Sequence, residues 1–245
     1  MDQTKVPKRV IVAEFILGHD YKQRSNSEEL VDDILLKTKL LVNSTKRFKV
    51  PVYVLTNEKI AYKTTELVVY HQEIPKTFSD LPLYYRRWVL AYQFLLAHPE
   101  VEEAAFVDLG DVEMLHNPFG KFEQSRLYIG DEESLVTNFI VSKEPKPSYA
   151  VKFFDNHNFL QLLNPGVVAG LRPILLEFLG LVNNTIARTM IDIELGKESG
   201  LRKFEMAIIN YVAYRYFPNR IVHGRRVSTV FFQDKVNDYS WFKHK

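Results

Sequence analysis

Cysteine is missing from all 245 residues. Its absence excludes disulfides, thiolate metal centres and cysteine nucleophiles together, and suits a reducing compartment. Surplus charge is scarce too: 32 basic and 30 acidic residues leave a formal +2, too little to hold a nucleic acid or a membrane surface by bulk electrostatics. Any electrostatic function must come from local clusters. No apolar run approaches the roughly 20 residues that a membrane helix needs. The N-terminal MDQTKVPKRVIVAEF lacks the apolar stretch and small-residue cleavage site of a signal peptide. The expectation is a soluble, cytoplasmic protein with no transmembrane segment and no nucleic-acid partner.

What is present is an ordinary globular composition, 46% hydrophobic and 25% charged, in a length that suits one domain with one substantial core. KRVIVAEFIL (8–17) reads as a buried first strand and VPVYVLTNE (50–58) as a second. ELVVYH (66–71) and EEAAFVDLGD (102–111) follow as third and fourth strands. Between them, SEELVDDILLKTKLLV (27–42) places Leu30, Val31, Ile34, Leu35, Thr38, Leu41 and Val42 on one helical face behind a Ser27 cap. LYYRRWVLAYQFLLAHP (83–99) does the same with Tyr85, Trp88, Val89, Tyr92, Leu95 and Leu96, and Pro99 lies just past its end. Later, 163–182 reads as a small-residue strand running into a helix. Two more helices follow, the last at 200–217 burying Leu201, Phe204, Ile208, Tyr211 and Val212, and strands return at 219–232. SKEPKPSY (142–149) is a proline-punctuated loop. Short buried strands alternating with amphipathic helices predict an α/β fold, a mixed but mainly parallel sheet flanked by helices. Ligands then belong at the carboxyl ends of the strands.

AAFVDLGDVEMLHNPF (104–119) runs a buried strand straight into Asp108 and Asp111, with Gly110 between them. Two carboxylates three residues apart across a glycine turn can converge on one point, where a hard divalent cation such as Mn²⁺ or Mg²⁺ would relieve their repulsion. The plain alternative is that Asp108 caps a turn and Asp111 is solvated.

FVDLGDVEMLHNPF resembles the metal-binding segment of GT-A glycosyltransferases, in which D-x-D or D-x-x-D at a strand end is followed by a dPF sequence. LNPGVVAG (163–170) resembles the NaGv strand of such enzymes. FEMAIINYV (204–212) resembles the DQdvlN helix start of the family that contains glycogenin and the bacterial lipopolysaccharide galactosyltransferases. The three occur in the family's order and span the chain from the first strand to about His223.

The resemblance implies a single GT-A domain over 1–245, with a nucleotide-binding half at about 1–115 and an acceptor and sugar half at about 116–245. It implies transfer of a sugar from a nucleoside-diphosphate-sugar donor to a glycan or other hydroxyl acceptor, with Mn²⁺ or Mg²⁺ as cofactor. Asp108 and Asp111 would hold the metal, Asp111 most directly, and a late histidine, His223, would be the third ligand. Arg225, with Arg226, would clamp phosphate oxygens, and Arg87 or Arg86 would reach the donor phosphates. Phe15 and Tyr21, near Glu14 at the first strand's end, would meet the nucleotide base. Asp108 would also touch the donor's ribose or sugar. Asn164 and Gly166, on either side of Pro165, would shape the sugar pocket, and Glu205 would contact the donor sugar. Met206 and Ala207 depart from the family's amide and acid at those positions. His116 and His244 are weaker ligand candidates. Two other readings stay open: a metal-dependent phosphohydrolase or nucleotidyltransferase, and a non-catalytic carbohydrate-binding member of the fold.

Overall fold

The computed structural model describes residues 5–17, 27–137, 146–201, 205–231 and 236–245. Its framework is an eight-stranded sheet of order β3-β4-β2-β1-β5-β8-β7-β9. The strands are β1 (Arg9–Phe15), β2 (Val52–Thr56), β3 (Tyr62–Lys63), β4 (Leu67–His71), β5 (Glu103–Val107), β7 (Leu127–Leu135), β8 (Gln161–Leu171) and β9 (Ile221–Val222). β1 pairs in parallel with both β2 and β5, β2 with β4, and β7 with β9, whereas β3 and β8 run against their neighbours. The carboxyl ends of β1, β2, β4, β5, β7 and β9 therefore share one edge, together with the amino end of β8. A second, two-stranded sheet joins β6 (Val112–Met114) to β10 (Phe242–His244).

Side chains of β1 alternate between two cores, as the two-residue period of a strand demands. Val10 and Val12 enter one cluster with Trp88, Phe94, Phe178 and Phe217, under helices α2 (Leu83–Ala97), α4 (Arg172–Glu194) and α5 (Met206–Tyr216). Ile11 and Ala13 enter the other with Ile34, Leu41, Met114, Trp241 and Phe242, under α1 (Ser27–Lys46) and the small sheet. Because both faces are covered, β1, β2 and β5 read as almost unbroken apolar runs. The short α3 (Ser148–Asp155) packs Ala150 and Phe154 against Met206 and Ala207 in a third, smaller cluster.

The α1 stripe matches the expected face, with Leu30, Ile34, Thr38 and Leu41 buried. α2 ends at Ala97 ahead of Pro99, and Leu96, expected on its buried stripe, is 52% exposed. Where two helices were expected between 171 and 199, one 23-residue helix, α4, runs through. By length and composition it could cross a bilayer; its buried stripe from Ile174 to Thr189 faces the protein. The strand expected over 219–232 is only Ile221–Val222. Phe204 lies outside the described residues, and Leu201 and Tyr211 are only partly buried.

From β1 the chain goes out through α1 to β2 on one side, and it returns through α2 to β5 on the other. The order therefore reverses between β1 and β5, and with helices on opposite faces that reversal opens a crevice outside the two strand ends.

Candidate functional site

β1 closes on Glu14 and Phe15, and β5 runs directly into Asp108. A cavity of about 510 Å³ opens at this edge, lined by both of these ends, by Asp33 and Lys37 of α1 and by Leu83 and Tyr84 of α2. Gly110 takes φ 90°, a left-handed conformation that lets the chain turn between Asp108 and Asp111. Asp111 faces the cavity with its side chain 52% exposed, and Lys245 Nζ lies 3.7 Å from its Oδ1.

Arg87, one turn into α2, is the hub of the buried charges. Its Nη1 donates to Asp108 Oδ1 at 2.5 Å, and its Nη2 lies 3.3 Å from Glu14 Oε2. Glu205, 3% exposed at the start of α5, is the third carboxylate around it. Three acids thus surround one guanidinium, and their protonation divides accordingly. Burial pushes Glu14 up to about 7, with Arg87 opposing and Asp108 adding to the rise. Burial likewise pushes Glu205 up to about 7 against the pull of Arg87. For Asp108 burial is outweighed by the Arg87 cation and by His244, which hold it well below the usual carboxylate range. Desolvation works against the charge on Arg87, yet Asp108, Glu14 and Glu205 keep it above its ordinary range.

β10 returns the end of the chain to this cluster. Its antiparallel pairing with β6 sets His244 opposite Val112 and Phe242 opposite Met114. The imidazole is 2% exposed, and its Nε2 is 3.6 Å from Asp108 Oδ2, longer than a hydrogen bond. Gly166 makes this approach possible: a Cβ there would stand 2.1 Å from His244 Cε1 and 2.8 Å from Asp108 Oδ2. Gly166 also fixes Asp108 through the backbone, since its carbonyl accepts from Asp108 N at 2.9 Å.

Other expected site residues fall elsewhere. His223 does not join the aspartate pair: its Nδ1 lies 2.8 Å from Asp131 Oδ2 of β7, because β9 is separated from β5 by two strands. Burial lowers the pKa of that imidazole. Arg225 is committed to the other oxygen of Asp131, and Arg226 stacks over Trp241 at 5.1 Å. His116 Nδ1 lies 2.7 Å from Ser240 O. Asn164 spends its amide inside the protein, donating to Glu132 Oε1 at 3.0 Å and accepting from Gly166 N at 2.9 Å. Phe15 lines the cavity while 92% of its surface packs into the core, being 8% exposed. Tyr21 lies outside the described residues.

The donor set fits a divalent cation in part. Among the described residues no three His, Asp or Glu side chains already stand together as a cation centre. Asp108 and the exposed Asp111 nonetheless line one cavity, with the buried His244 Nε2 3.6 Å from Asp108 Oδ2, and mixed oxygen and imidazole ligands suit Mn²⁺ better than Mg²⁺. The sequence undervalued His244 and Glu132. For His244 the signal was position alone: an alternating aromatic tail, WFKHK, whose pairing with DVEM no local pattern announces.

Comparison with known proteins adds no family. No family model matches the chain, and no curated protein shows significant similarity to it.

Proposed function

We propose that this chain is a metal-dependent glycosyltransferase of the GT-A type, moving a sugar from a nucleoside-diphosphate-sugar donor to a hydroxyl acceptor. The observation that carries the reading is the coincidence of three features at one edge. The cavity opens where strand order reverses, Asp108 and Asp111 end β5 there, and His244 is brought to Asp108 from the far end of the chain.

In this reading the nucleoside occupies the cavity between α1 and α2, with Phe15 on its wall. The diphosphate lies toward Asp108 and Asp111, which line the same cavity. Asp108, Asp111 and His244 would hold Mn²⁺, which supplies Lewis-acid stabilisation of the departing diphosphate. Arg87 sets the rotamer of Asp108 and keeps it ionised as a ligand. Gly166 leaves room for His244. Lys245, 3.7 Å from Asp111, exchanges its carboxylate partner for phosphate oxygens when the donor arrives.

One observation favours a non-catalytic variant of the same site. Arg87 already satisfies Asp108 Oδ1, and Glu205, the acid the family resemblance assigns to the sugar, is turned inward to that same arginine. Such a protein would bind the nucleotide sugar without turning it over.

The deciding experiment is thermal unfolding with UDP-, GDP-, dTDP- and CMP-sugars, with and without Mn²⁺, on wild type and Asp111→Asn. A donor at 100 times its Kd stabilises the fold by about 2.7 kcal/mol, or roughly 5–10 °C for a domain of this size. The expected result is a metal-dependent shift with one nucleotide class, lost in D111N, accompanied by release of the nucleoside diphosphate. Absence of any shift across the panel refutes the reading, and a shift without release selects the non-catalytic variant.

A further inference from the structure

A cavity that takes a diphosphate must answer its charge, and the described lining starts from an excess of acid. Glu14, Asp33, Asp108 and Asp111 are matched by two basic residues, Arg87 and Lys37. Arg87 is already engaged: it donates to Asp108, lies 3.3 Å from Glu14 and is 7% exposed. Beyond a bound metal, an anion entering this cavity therefore meets its counter-charge on α1, at Lys37.

α1 presents an ordered stripe to the cavity. Leu30, Asp33 and Lys37 all line it, and their i, i+3, i+7 spacing puts them on one helical face, spread over about 10 Å of helix. Exposure rises along the stripe: Leu30 is buried, Asp33 half-buried and Lys37 exposed. Leu30 belongs to the same apolar cluster as Phe15, so this end is the greasy inner wall. At the other end the Lys37 carbonyl lies 3.5 Å from where a Cβ on Gly110 would stand, so that turn of helix abuts the loop carrying Asp111. Two turns farther on, Ser44 Oγ accepts from Met114 N of β6 at 2.9 Å. The height of Lys37 beside the Asp108–Asp111 turn is thus set by packing before any ligand arrives.

Apolar, carboxylate, ammonium is also the order in which a nucleotide presents base, ribose hydroxyls and phosphates. We propose that this face of α1 reads the nucleotide: the base lies against Leu30 and Phe15, Asp33 accepts from the ribose hydroxyls, and Lys37 donates to the diphosphate. A carboxylate offers about four acceptor positions, so Asp33 can serve a ribose alongside a protein partner. The lysine ammonium is a compact charge on a flexible stem, suited to follow a phosphate at the mouth of a cavity. Lys37 gives the site its preference for a second phosphate, and Asp33 its preference for ribose over 2′-deoxyribose.

The inference rests on the reading of this cavity as a nucleotide-sugar donor site, and its test separates the two. Uridine, UMP, UDP, dUDP and UDP-glucose are titrated calorimetrically with Mn²⁺ into wild type, Lys37→Ala, Lys37→Arg and Asp33→Asn, and the guanine series with GDP-mannose likewise. Thermal melts confirm that each variant folds, and sugar release is followed in parallel. The expected result is a wild type that binds one diphosphate more tightly than its monophosphate. K37A should weaken that diphosphate by about 10–100-fold, the worth of a charge-assisted hydrogen bond, with the nucleoside unchanged, and K37R should restore most of the loss. D33N should narrow the ratio between ribose and deoxyribose diphosphates while the phosphate preference stays. Wild-type diphosphate affinity in K37A, or an equal loss for nucleoside and diphosphate, overturns the role of Lys37. An unchanged ribose-to-deoxyribose ratio in D33N overturns that of Asp33. Wild-type binding with these preferences but no sugar release supports α1 as the reader and removes glycosyl transfer. No binding in either series removes both.

Discussion

Replacing Glu205 by glutamine should stabilise this protein, and the gain should grow with pH. Glu205 is 3% exposed, and its carboxyl is pushed from 4.5 to about 7 by burial. The folded state therefore holds a proton that the unfolded state has released between these two values. Unfolded chains bind fewer protons than native ones in that window, so stability falls as pH rises through it. For a shift of this size the loss between pH 5 and pH 8 is about 2.5 kcal/mol. Glutamine has nearly the same shape and never ionises, so E205Q removes this loss. The assay is urea unfolding at half-unit intervals from pH 5 to 8, followed by the emission of Trp88 and Trp241, both buried. What matters is the difference between variant and wild-type curves. His223, whose pKa is lowered by burial, gives stability the opposite slope, but it contributes equally to both proteins and cancels. The variant should pull ahead by about 2.5 kcal/mol at pH 8 relative to pH 5, or roughly 5–10 °C in Tm. A difference curve flat to within about 0.5 kcal/mol would show that Arg87 keeps Glu205 ionised throughout, and the account of the buried cluster would be wrong.

Gly166→Ala should displace the His244 ring, because the added Cβ would meet Cε1 at 2.1 Å and Nε2 at 2.5 Å. Overpacking of this kind costs about 1–3 kcal/mol. Thermal melts should show that cost together with loss of the Mn²⁺-dependent donor shift, and an unchanged donor shift would contradict the placement of His244. Asn210→Ala tests the joint between α5 and β8. The buried amide accepts from Leu163 N and donates to Leu163 O and Met206 O, each at 2.9 Å. Leaving those backbone groups unpaired should cost about 1–3 kcal/mol in urea unfolding, with slowed exchange protection lost first at Leu163 in hydrogen-exchange measurements.

Particular residues show where local pattern suffices and where it does not. Val10 to Ala13, Val52 to Leu55 and Ala104 to Val107 announce themselves as strands because a sheet covered on both faces leaves no polar positions to interrupt the run. Leu30, Ile34, Thr38 and Leu41 announce a helix because their spacing closes one face. β7 escaped notice because GDEES, at 130–134, breaks the apolar run. Yet Tyr128, Ile129 and Gly130 pair with β8, and on that β-bulged strand Asp131 meets His223 and Glu132 accepts from Asn164. β6 and β10 escaped for another reason: three-residue strands exist only through their partner, 132 residues apart in the case of His244 and Val112.

The same division holds for the chemistry. From the sequence alone came the α/β class, the strand that ends on Asp108, the glycine turn to Asp111 and the small residues beside Asn164. All of these are local consequences of residue type and spacing. Which histidine reaches Asp108 was a question of tertiary structure, because β10 pairs with β6 while β9 lies three strands from β5. Tertiary structure also decided that Arg87 gathers Glu14, Asp108 and Glu205, and that Asn164 turns to Glu132. A carboxylate's role depends on its burial and its neighbours' charge, and both are set only when distant strands come together at one edge.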